Sequence, residues 1–135
     1  MSGPTGADDT SAFGMPGNEG DVERTIEVAQ FDTYRFEPAS ISVSEGETIM
    51  FDVSNQGSAV HEFVIGDDSF QDEHEAEMAD MGGMAMVDEP NAITIQPGES
   101  KTLVWTFSQA GSFLYGCHVA GHYAAGMRGS IDVGN

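Results

Sequence analysis

The sequence predicts an all-β fold, a Greek-key β-sandwich or barrel of about eight short strands. Three observations predict it. Short runs of alternating apolar and polar residues recur along most of the chain. Gly, Pro and Asn punctuate them at close intervals. One stretch, residues 67–90, breaks the pattern with an acidic, Met-rich segment whose first half favours a helix.

The elements follow in order. Residues 1–20, MSGPTGADDTSAFGMPGNEG, are rich in Gly, Pro, Ser and Asp and carry no apolar period, so a flexible leader is expected there. One domain then fills 21–135. Val22, Ile26 and Val28 alternate with Glu23, Thr25 and Glu27. In FEPASISVSEGETIMFDVSN, Ile41 and Val43 alternate with Ser, Glu45-Gly46 makes a turn, and Ile49, Phe51 and Val53 alternate with Thr48, Met50 and Asp52. That reads as two strands joined by a tight connection. HEFVIG (61–66) is a short apolar strand. One or two helical turns are expected at 70–80, with loop beyond them. Strands resume with NAITIQPG, KTLVWTF (Leu103, Trp105 and Phe107 against Thr102, Val104 and Thr106), GSFLYGC and GSIDV.

A chain of 135 residues suits one domain with a real core. Its net charge is −19, from 23 acidic residues against four basic ones. Nucleic acid is excluded as a partner, because phosphate binding needs clustered Lys and Arg. The acidity serves solubility and would also steer a cationic partner or metal cations. No window approaches twenty apolar residues, so no membrane insertion is expected. Met1 is followed by neither a basic n-region nor an apolar h-region, so no signal peptide is read and the compartment has to come from the chemistry.

That chemistry sits in YGCHVAGHYAAGM (115–127), which holds the single cysteine, two of the four histidines and one of the eight methionines. Cys117, His122 and Met127 are spaced Cys-x4-His-x4-Met. A thiolate, an imidazole and a thioether together favour copper over Mg, Ca or Mn, and a trigonal copper site wants a second imidazole. His61 is the candidate, because it opens the strand HEFVIG directly after the loop NQGSAV. His118 adjoins Cys117 and should point the other way on an extended chain, off the metal and partly exposed or hydrogen-bonded. A structural zinc site would want more thiolates or imidazoles. Methionine can also be core filler.

From Val22 to Val133 the chain resembles the cupredoxins, the type 1 copper proteins. The resemblance rests on FEPASISVSEGETIMFDVSN, VHEF, PGESKTLVWTF and GSFLYGCHVAGHYAAGMRGSIDV in that order. It implies that His61, Cys117 and His122 are the equatorial copper ligands and Met127 the axial one. One departure stands out: Glu62 occupies the position where many members have an Asn that ties the two ligand-bearing segments together. A carboxylate accepts hydrogen bonds but cannot donate them when ionised.

The resemblance implies a one-electron carrier cycling between Cu(I) and Cu(II). Four protein ligands leave no open position for substrate, so no enzymatic activity is expected. An unidentified redox protein is the expected partner, the chain is expected to be monomeric, and the compartment periplasmic or otherwise extracytoplasmic. Four histidines are too few for the additional copper cluster of a multicopper oxidase. EHEAEMADMGGMAMVDEP resembles the Met- and acid-rich insertion of periplasmic cupredoxins linked to copper tolerance, which makes copper handling the alternative function. His74, Met78, Met81, Met84 and Met86 would then form a secondary Cu(I) site. The same methionines could instead pack as a lid over the sandwich.

Overall fold

The computed structural model describes residues 13–80, 88–119 and 121–134. Among these, ten strands form two five-stranded sheets. The strands are β1 (Met15–Pro16), β2 (Arg24–Phe31), β3 (Arg35–Glu37), β4 (Ser40–Ser44), β5 (Thr48–Asn55), β6 (His61–Gly66), β7 (Ala92–Ile95), β8 (Ser100–Thr106), β9 (Gly111–Gly116) and β10 (Arg128–Gly134). One sheet has the order β1-β8-β5-β2-β3 and the other β4-β10-β9-β6-β7. The pairs β2–β5 and β4–β10 are parallel, and the rest are antiparallel. The β-sandwich read from the sequence is present, with two strands more than expected. The extra strands are the short β1 and β3, too brief to show an alternation.

Alternation sets which residues meet between the sheets. Ile49, Phe51 and Val53 of β5 and Leu103 and Trp105 of β8 face Phe63 and Ile65 of β6, Phe113 and Tyr115 of β9, and Ile131 and Val133 of β10. β10 alternates strictly between exposed and buried, as a strand with one wet face must. β6 does not: all six of its residues are buried. Its outer face is covered by the helix α1 (Asp68–Asp80), which lies against β6 and β9.

Two expectations are corrected here. The flexible leader does not extend to residue 20. Phe13 is buried in the core, its ring stacked on Trp105 at 5.9 Å, and the Trp105 Nε1–H donates to its carbonyl at 2.9 Å. One aromatic anchor among Gly, Pro and Asp gives no periodic signal. The helix is also longer than one or two turns, at 13 residues. Asp67 caps it by accepting the Phe70 N–H at 2.8 Å. Its buried face carries Gln71, His74 and Met78, so two of three inward residues are polar and the apolar period is hidden. No helix among the described residues is long and apolar enough to cross a membrane.

Candidate metal centre

Adjacent strands of one sheet, β6 and β9, and the loop from β9 to β10 bring three donors together. β9 ends at Gly116, and Cys117 follows it. A Cβ on Gly116 would lie 2.6 Å from the Tyr123 ring, so only glycine lets the loop fold back over the strand end. The loop closes on itself: His122 N–H donates to Val119 O at 2.8 Å, Met127 N–H to His122 O at 3.0 Å, and Cys117 N–H to Met127 O at 3.1 Å. From the neighbouring strand, β6 presents His61.

The Cys117 Sγ lies 3.4 Å from His122 Nδ1 and 3.9 Å from His61 Nδ1. Donor atoms of His61, Cys117 and His122 all fall within 4.8 Å of one another, the one such group of three among the described residues. Cys117, His61 and Met127 are fully buried, and His122 is partly exposed. The Glu62 N–H donates to the Cys117 Sγ at 3.2 Å. Burial pushes the Cys117 thiol pKa up to about 12, outweighing the backbone N–H groups of Glu62 and Val119 that lower it. Burial, and then the neighbouring His61, push the His122 pKa down. The set is thus a sulfur and two imidazole nitrogens, with the buried Met127 hydrogen-bonded through its backbone to both Cys117 and His122. Such donors fit copper and suit neither Mg nor Ca.

The groups behind these donors are polar and mostly satisfied. Asn55 Nδ2 donates to Ala59 O at 2.7 Å and Ile95 O at 3.0 Å, and its Oδ1 accepts Gly57 N–H at 2.8 Å. This fixes the loop that enters β6. Glu62 ties the two ligand-bearing segments together as an acceptor. Its Oε1 takes the His118 N–H at 3.1 Å, and its Oε2 lies 3.1 Å from His74 Nε2. Burial opposes charge on His74, but the Glu62 hydrogen bond and its charge more than offset that and raise its pKa. His118 points away from the cluster. Its Nδ1 is 2.6 Å from Glu75 Oε1 and its Nε2 is 2.6 Å from Gln71 Oε1, so neither nitrogen is offered to a metal at Cys117. It is buried rather than partly exposed, stacked on Tyr123 at 4.3 Å.

The helix divides the expected secondary set. His74 is engaged with Glu62 and Met78 is buried. Met81, Met84 and Met86 lie outside the described residues. Sequence reasoning did not find Asp32, Gln71, Glu75 or Tyr34. Asp32 reaches His61 Nε2 at 3.0 Å, and the Tyr34 ring lies 5.0 Å from that of His122. These residues sit in turns and on a polar helix face, remote in sequence, where no local pattern marks them.

Residues 22–134 match the family described as copper binding proteins of the plastocyanin/azurin family. Among curated proteins, the chain is 40% identical over 126 residues to the copper-resistant cuproprotein CopI of Rubrivivax gelatinosus, covering 93% of this chain and 76% of that one. Among solved structures, it superposes on dithionite-reduced auracyanin from Roseiflexus castenholzii with a TM-score of 0.71 at 27% identity, covering 83% of this chain and 98% of the other. Auracyanin A of Chloroflexus aurantiacus, described as a "blue" copper protein, gives 0.67 at 25% identity over 81% and 97% of the two chains.

Proposed function

Because the chain belongs to the plastocyanin/azurin family of copper-binding proteins, we propose that it is an extracytoplasmic type 1 copper protein that exchanges single electrons in the service of copper tolerance. The observation that carries this reading is the trio His61, Cys117 and His122, gathered within 4.8 Å and sealed from water on the thiol side. These three would hold the copper, with Met127 as the fourth ligand. Copper when bound supplies one-electron chemistry between Cu(I) and Cu(II).

The chain's own residues do the rest. Two hydrogen-bonded strands of one sheet, β6 and β9, and a loop closed by its own backbone hydrogen bonds hold the donors in place, so little reorganisation accompanies a change of charge. The Glu62 N–H steadies a thiolate without competing for it. Four protein ligands leave no position for a substrate, which makes the protein a carrier and not an enzyme. His122 is the ligand nearest solvent, flanked by exposed Gly121, Ala124 and Ala125. These small residues let a redox partner protein approach a monomeric chain closely. The tolerance part of the reading is supported by the name of the CopI relative.

Two experiments test it. Titration with copper, followed by visible and EPR spectra, is expected to show one Cu(II) per chain with an intense thiolate band, absent in Cys117→Ser. Expression in a bacterium lacking its own CopI is expected to restore growth on copper, and Cys117→Ser is expected not to. A band that survives Cys117→Ser sinks the site. Tolerance that survives it separates tolerance from electron exchange.

A further inference from the structure

The turn between β2 and β3 places a carboxylate on the far side of the first histidine. Asp32 Oδ1 lies 3.0 Å from His61 Nε2, while His61 Nδ1 faces Cys117. The same carboxylate is held by the loop that leads into β6: Oδ2 accepts the Ser58 N–H at 2.6 Å and Oδ1 the Ala59 N–H at 3.2 Å. The turn is itself closed by the Tyr34 N–H donating to Phe31 O at 3.1 Å, with Tyr34 at φ 63°.

From this arrangement we propose that Asp32 is a positioning residue that fixes His61 in the tautomer required for copper and sets the charge behind it. An ionised carboxylate only accepts. Ser58, Ala59 and His61 therefore all have to donate to it, so the His61 proton sits on Nε2 and the Nδ1 lone pair is left for the metal. The negative charge behind the ring favours the higher metal charge. The Glu62 side chain does not take this role, because its oxygens are engaged by His118 and His74. The part concerning copper rests on the function proposed above; the tautomer does not.

The experiment has an arm for each part. In the metal-free wild-type protein, 15N NMR of the imidazoles is expected to show His61 protonated on Nε2. Asp32→Ala should leave a mixture. Asp32→Asn removes the charge and leaves one amide oxygen for three N–H donors, so the preference for Nε2 should weaken. A wild-type His61 protonated on Nδ1 overturns the proposal without any variant having to fold. In the copper-loaded protein, Asp32→Asn is expected to lower Cu(II) affinity by about 10-fold or more and to shift the reduction potential positive, with the thiolate band retained. If the wild type binds copper normally and Asp32→Asn changes neither affinity nor potential, Asp32 has no such role and the copper function stands. If the wild type takes up no copper, the function fails and the tautomer measurement still decides the role of Asp32.

Discussion

Cys117 shows how much a single residue's surroundings fix. Its thiol is fully buried with a pKa pushed up to about 12, yet the metal ligand has to be the thiolate. Copper uptake therefore releases a proton, and apparent affinity falls as pH falls. Proton release on loading, measured in weak buffer, is expected in the wild type and absent in Cys117→Ser. The sign for the metal-free fold is the opposite. The unfolded thiol ionises near its ordinary value of 9.0 while the folded one does not, so stability is full below that pH and declines above it. Met127 makes a second test. A thioether donor favours Cu(II), so Met127→Leu is expected to keep copper and raise the potential in voltammetry. A lower potential would remove Met127 from the ligand set.

At the scale of the element, α1 is more than a cover. It reaches the copper loop through His74 to Glu62, and through Gln71 and Glu75 to His118. Glu62 is buried, so deleting His74 strips a buried carboxylate of its partner and should cost about 3 kcal/mol. The raised His74 pKa gives the sign: the contribution is full below pH 6.5 and is lost as pH rises through the higher folded value. Denaturation of His74→Ala against wild type is therefore expected to show a larger deficit in acid than in base. An equal deficit at both would mean the pair carries no charge. Phe13 is the corresponding anchor for the segment that precedes β1. Phe13→Ala is expected to cost about 3 kcal/mol in chemical denaturation and to leave the copper spectrum unchanged, since its neighbours are Trp105, Phe70 and Phe113.

For the whole molecule, 23 acidic residues against four basic ones leave a net charge of −19. Arg24 is paired with Glu47, Arg35 with Glu37 and Lys101 with Asp88, and Arg128 lies over the Tyr123 ring at 5.1 Å. All four bases are thus engaged, and the long-range field is that of an anion. Electron exchange with a cationic metal complex should slow as salt is added, and exchange with an anionic one should quicken. Stopped-flow rates that ignore ionic strength for both reagents would exclude steering.

The sandwich, the trio His61, Cys117 and His122, and their preference for copper were legible in the sequence. Strand alternation and the Cys-x4-His-x4-Met spacing are local patterns, set by the two-residue period of a strand and the reach of one loop. Tertiary structure alone decided the rest. Asp32 lies 29 residues from His61, and no spacing rule connects a turn to a ring across that distance. Glu62 was visible as a departure, but its partners come from distant segments, His74 from α1 and the His118 N–H from the loop after β9. Phe13 joined the core although its neighbours in sequence read as leader, because a single aromatic ring needs a cavity and not a period. Ligand identity is a matter of residue type and local spacing. What orients and charges the ligands is a matter of which distant polar groups the fold buries beside them, since a buried donor or acceptor has to find a partner wherever the chain supplies one.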